Sequence, residues 1–250
     1  MAEHIVTSYE DELKFIIRRI SEMGGQAERM VEQSVSALMR SDWSLAQSVV
    51  ADDVLLDAVQ REIDERAIRT IAKRQPMAID LREIVGAIRI SNDLERIGDL
   101  AKNTAKRVIA VHEHSQPLQL VRGLEHLSEL ALEQLKEVLD AYATRNEKQA
   151  LAVRDSDENI DAVYTSIFRE LLTYMMEDPR NITACTHLLF SAKNIERIGD
   201  HATNIAETVY YIKTGEQMEA ERPKGDQTPS LAHTDVTTPP APGQSGASAG

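Results

Sequence analysis

Two copies of one five-residue string, Glu95-Arg96-Ile97-Gly98-Asp99 and Glu196-Arg197-Ile198-Gly199-Asp200, hold the residues best suited to chemistry in this chain. Each lies deep inside a long helical pattern. In a helix of 3.6 residues per turn, the Glu and Asp of each copy sit about 40° apart on one face, so two carboxylates point the same way. Like charges at that spacing repel by roughly 0.2–0.5 kcal/mol, and a glycine inside a helix costs about 1 kcal/mol relative to alanine. Close approach of a neighbouring helix accounts for the glycine. An added cation accounts for the carboxylates, because it turns repulsion into chelation. A single pair of this kind would be read as a solvated face, with Arg96 or Arg197 as counter-charge.

Duplication changes that reading. The copies run from 95 and from 196, an offset of 101 residues, and Leu94, Ala101 and Asn103 match Ile195, Ala202 and Asn204 at the same offset. A second four-spaced pair, Asp53 with Asp57, recurs as Asp157 with Asp161 at an offset of 104. The candidate metal ligands are therefore Asp53, Asp57, Glu95 and Asp99 in the first half, and Asp157, Asp161, Glu196 and Asp200 in the second. Asn103 and Asn204, one turn further along, are weaker candidates for supporting them. Oxygen donors suit hard or borderline cations, among them Mg, Ca, Mn, Fe and Zn. Di-iron carboxylate bundles need a His three residues after a ligand Glu, and those positions are Gly98 and Gly199. His201 points about 100° away from Asp200 and reads as a surface or interface residue. No phosphate loop, zinc spacing or nucleophile with its base is recognisable, so the chain is not expected to be an enzyme.

The elements that must position these carboxylates are helices. The 250 residues are 42% hydrophobic but only 4% aromatic, and no alternating strand pattern appears. Leu13, Ile16, Ile20, Met23, Ala27, Met30 and Leu38 mark one buried stripe from about Ser8, with Asp11 completing a cap, to Arg40. Ser41-Asp42 offers N-cap oxygens for a second helix to about Lys73, and a third opens near Pro76 and fades around His112. The second half repeats the plan. Pro117 opens a fourth helix, Thr144 with Glu147 reads as a capping box for a fifth carrying Asp157 and Asp161, and Asp178-Pro179 opens a sixth that ends at Gly215. The expected fold is all-α: two tandem antiparallel three-helix bundles related by internal duplication, 8–113 and 116–215. Residues 216–250, rich in Pro, Gly, Ser and Thr, are expected to be a disordered tail.

A formal net charge of −13 argues against a nucleic-acid surface. Lone Cys185 allows no internal disulfide and reads as a small buried hydrophobe. Without an apolar run of about 18 residues or an apolar N-terminus, the expected location is cytoplasmic, with no direct membrane insertion.

The stretch from Ser191 to Glu207, Ser-Ala-Lys-Asn-Ile-Glu-Arg-Ile-Gly-Asp-His-Ala-Thr-Asn-Ile-Ala-Glu, together with Asp80-Leu81-Arg82, closely resembles the PhoU family, accessory regulators of bacterial phosphate uptake. The resemblance covers about residues 8–215. Thr104 departs from Ile205 in the second copy, and Asp80-Leu81-Arg82 has no second-half counterpart, Thr183 aligning with Arg82. What the resemblance implies is a pair of three-helix bundles whose acidic four-spaced motifs are able to hold metal clusters at the surface, and a negative regulator rather than an enzyme. The implied partners are components of the Pst phosphate ABC transporter and a phosphate-sensing histidine kinase. The chain is expected to reach the inner face of the membrane through the transporter and to form a homodimer. The alternatives are a carboxylate-bridged metal-dependent enzyme and a metal-binding helical scaffold.

Overall fold

The apolar stripes predict helices, and the computed structural model, which describes residues 2–111 and 118–218, is built from them; no strand occurs among the described residues. The first bundle contains α1 (Ala2–Arg40), α2 (Trp43–Arg74) and α3 (Ile79–Val111). The second contains α4 (Leu118–Thr144), α5 (Glu147–Asp155), α6 (Asp157–Glu177) and α7 (Ile182–Thr214). Ile16, Ile20, Met23, Leu56, Ile63, Leu94 and Ile97 are buried in the first bundle, as are Leu124, Leu127, Leu135, Leu171, Leu188 and Ile195 in the second. They belong to one continuous core. Cys185 lies in it, fully buried. Residues 219–250, which include most of the expected tail, lie outside the described residues, as do His112 and Pro117.

Several helix ends follow local chemistry. Asp42 caps α2 by accepting from the Leu45 amide at 2.9 Å, and Gly215, at φ 78°, closes α7 with its N–H on the Tyr211 carbonyl. Others differ from the sequence reading. The first helix starts at Ala2, so Ser8 lies within it rather than capping it. The third begins at Ile79, because Gln75 and Ala78 take left-handed conformations on either side of Pro76 and delay the first turn. Asn146, not Thr144, caps α5 by accepting from the Lys148 and Gln149 amides, while the Thr144 hydroxyl donates back to the Asp140 carbonyl. The expected fifth helix is two, divided at Ser156, whose hydroxyl donates to the Val153 carbonyl at 2.8 Å. Such back-bonding competes with the helical ladder. Asp157 thus becomes the first residue of α6, where the helix dipole favours a carboxylate. Asp178 caps a 3-10 turn, Pro179–Asn181, before α7 starts at Ile182.

The two helices that carry the repeated string also join the bundles. Arg82 near the start of α3 donates to the Ile212 carbonyl near the end of α7, and Gly86 lies against Ile212. Further along, Asn194 donates to Thr104, and Arg107 covers the Phe190 ring. The pair therefore runs antiparallel. Between these contacts, His201 Nδ1 lies 2.9 Å from Asp93 Oδ1, which also accepts from Asn204 at 3.3 Å. His201 is thus an interface residue, and Asn204 reaches the other bundle. Asp93 and Asn194 are equivalent at the 101-residue offset, so the packing retains a local two-fold relation.

Candidate acidic sites

The motif glycines set how closely α2 and α6 approach. A Cβ at Gly98 would collide with Leu56, and one at Gly199 would lie 2.8 Å from Ile160 Cδ1. Leu56 and Ile160 are themselves equivalent at the 104-residue offset. Both bundles therefore use the same device to bring the two carboxylate-bearing helices together. Replacing Gly98 with Val is expected to lower stability by about 1–3 kcal/mol, the cost of overpacking a fitted core. Thermal melting checks it; an unchanged or higher melting temperature would contradict the close approach.

In the first bundle the four carboxylates share one neighbourhood. Lys102 Nζ lies 2.6 Å from Asp53 Oδ2 on α2 and 2.6 Å from Asp99 Oδ1 on α3. Arg96 lies 3.2 Å from Asp99 and 3.3 Å from Glu95. Burial pushes Glu95 above its ordinary pKa, and the negative charges of Asp99 and Asp57 add to the effect. Burial would raise Asp99 too, but Lys102 and Arg96 outweigh it and hold that carboxyl below the usual range. Hydrogen bonding between Glu95 and Asp99 adds to both shifts, raising Glu95 and lowering Asp99. Burial disfavours the Lys102 ammonium, yet its bonds to Asp53 and Asp99 raise its pKa overall.

The second bundle assembles the equivalent four differently. Asp157 is buried and pushed up by that burial, with Asp200 and Asp161 adding to the shift; Gln134 Nε2, 3.4 Å away, and Thr203 oppose it by hydrogen bonding. Glu196 is only 4% exposed, and burial raises its pKa to about 7 even though Lys193 lies 2.7 Å from Oε1. Asp200 and Asp161 push in the same direction. Glu196 Oε2 and Gln134 Oε1 are both buried with no hydrogen-bond partner.

Within each bundle the structure brings the four spaced carboxylates near one another, together with Lys102 in the first and Lys193, Gln134 and Thr203 in the second, which the motif spacing does not single out. Two of these left a trace. Asp99 with Lys102, and Lys193 with Glu196, are three apart on one helix, a spacing that places opposite charges side by side. Gln134 enters from α4 and could be found only from the packing.

A PhoU domain model matches residues 20–108 and 124–209, once in each bundle. The chain belongs to the PhoU family. A phosphate-specific transport system accessory protein PhoU homolog from Rhizobium meliloti (strain 1021) is 68% identical over 228 residues, covering 91% of this chain and 96% of the relative. Its counterpart in Caulobacter vibrioides (strain NA1000 / CB15N) is 52% identical, covering 90% and 98%. The crystal structure of PhoU from Pseudomonas aeruginosa superposes with a TM-score of 0.81 at 38% identity, over 83% of this chain and all of that one. That of the phosphate transport system regulatory protein PhoU from Streptococcus pneumoniae gives 0.78 at 26% identity, over 84% and 99%.

The acidic clusters of this PhoU chain fit a cation only after rearrangement. Among the described residues, no three His, Cys, Asp or Glu side chains stand as a ready metal cage, and Lys102 bridges two of the candidate ligands. The chemistry of the donors nevertheless suits a hard cation. Carboxylates raised by burial, with mutual repulsion adding to it and one orphaned oxygen on Glu196, gain from any positive charge placed among them. Asp53, Asp57, Glu95 and Asp99 would hold it in one bundle, and Asp157, Asp161, Glu196 and Asp200 in the other.

Proposed function

We propose that this chain is a negative regulator of phosphate uptake and phosphate-starvation signalling, an adaptor between the Pst phosphate ABC transporter and a phosphate-sensing histidine kinase. The observation that carries the reading is the doubled Glu-Arg-Ile-Gly-Asp string, present in both of the segments matched by the family model. Relatives named as accessory proteins of the phosphate-specific transport system align along nearly their whole length. Among the described residues, no helix is long and apolar enough to cross a membrane. The regulator works at the cytoplasmic face and reaches the membrane through the transporter. Its clusters bind Mg, Mn, Fe or Zn, it acts as a homodimer, and it transmits a state through contacts rather than by turnover.

Two related bundles on one continuous core suit an adaptor because each can present its own surface to a partner. Cross-linked capture with the tagged full-length chain from phosphate-replete cells is expected to recover transporter components together with the kinase. Recovery of neither under those conditions would overturn the adaptor role.

A further inference from the structure

A cavity of about 80 Å³ lies where the two bundles meet, beside the first turns of α3 and the last turns of α4 and α7. Ile17, Ile79, Val209 and Ile212 give it apolar walls drawn from both bundles. One carboxylate breaks that lining. Glu83 is only 7% exposed, and Arg145 reaches it from the turn after α4, with Nη2 2.6 Å from Oε1. The guanidinium comes in from outside, because 52% of the Arg145 side chain stays exposed. Its backbone is left-handed at φ 55°, a conformation that Gly or Asn adopts more readily.

The polar groups inside are acceptors. Burial raises the Glu83 carboxyl above its ordinary pKa in spite of Arg145, and Asp80 adds to the shift. Burial also pushes the Tyr9 phenol up to about 12, again with Asp80 and Glu83 adding to it, and the Tyr9 hydroxyl is buried without a hydrogen-bond partner. Two helices, α4 and α7, end at the cavity, and their C-terminal carbonyls carry partial negative charge; only α3 begins there. The cations of the lining, Arg145 and Lys213, are exposed at its rim.

We propose that this cavity binds a small organic cation, an alkyl chain ending in a guanidinium or primary ammonium, whose head takes Glu83 from Arg145 while its chain lies against Ile17, Ile79, Val209 and Ile212. Exchanging one cation for another keeps the buried carboxylate paired, which a neutral or anionic guest does not. The alkyl chain adds apolar burial that the polar tip of Arg145 does not supply. None of the eight spaced carboxylates lines the cavity, so the site is separate from both acidic clusters. It goes beyond the regulatory reading by giving the chain an input of its own. Occupancy replaces the link from Arg145 to Glu83 with a guest held between the two bundles.

The test is calorimetric titration of the full chain with n-butylguanidinium and n-butylammonium, with n-butyrate and n-butanol in parallel and methyl NMR to locate the guest. The cations are expected to bind with a Kd of about 1 mM, ordinary for so small a ligand, and to shift the methyl signals of Ile17, Ile79, Val209 and Ile212. Butyrate and butanol are expected to bind at least about tenfold more weakly. Glu83→Gln weakens both cations at least about tenfold, the loss of a charged partner. Arg145→Gln removes the competing guanidinium and tightens them about threefold or more. Ala143→Phe, at an exposed position of the lining, fills the mouth and abolishes binding without altering Glu83. Thermal melting confirms that each variant is folded, and if Glu83→Gln is not, Ala143→Phe decides. No saturation by either cation up to about 20 mM would overturn the site. So would butyrate binding as tightly, cation binding unchanged by Ala143→Phe, or methyl shifts confined to residues beside the acidic clusters.

Discussion

Glu196→Gln is expected to stabilise metal-free protein above pH 7 and to leave it nearly unchanged below pH 4.5. The carboxyl is buried and its folded-state pKa is about 7, against 4.5 for the free side chain. Its raised pKa means that the folded state keeps the proton longer than the unfolded chain does. The stabilisation from the neutral form is fully present below pH 4.5, falls as pH rises through the interval, and is lost above 7. A shift of that size corresponds to about 3 kcal/mol, or about 6–12 °C in melting temperature for a chain of this length. Glutamine stays neutral throughout, so the variant avoids the penalty. Melting in the presence of a chelator, from pH 4 to 8, checks it. A difference between variant and wild type that does not grow with pH would contradict the burial of this charge.

The same residue illustrates how much could be read before the fold was known. Spacing alone paired Glu196 with Asp200, and the 104-residue repeat placed Asp157 and Asp161 opposite them. The apolar stripes identified the helices, and local cap chemistry fixed ends such as Asp42 and Gly215. Both motif glycines do mark close helix approach. What spacing could not convey was depth: the two copies of the string read alike in sequence and the resemblance places their clusters at the surface, yet Glu196 is buried while Asp99 keeps 27% of its side chain exposed.

The break at Ser156 was equally hidden, because no Pro or Gly marks it and a serine hydroxyl decides it. At the next junction, Thr144 and Asn146 each precede a Glu or Gln by three residues, and only the turn geometry selected Asn146. The join between bundles depends on Asp93, His201 and Asn204, single residues on long helices that carry no motif signal of contact. Lys102 reads as an ordinary partner for Asp99; that it also reaches Asp53 depends on the register between α2 and α3.

The largest cellular effect is expected from removing the chain altogether. Under the proposed role, loss of the chain is expected to release the transporter from restraint, so that phosphate accumulates when it is plentiful and starvation signalling stays on. The most direct measurement is a starvation-controlled reporter at high phosphate in the deletion strain, alone and complemented with the full chain. The reporter is expected to be fully on in the deletion strain and to return to its repressed level on complementation. Full repression in the deletion strain at high phosphate would contradict the regulatory role.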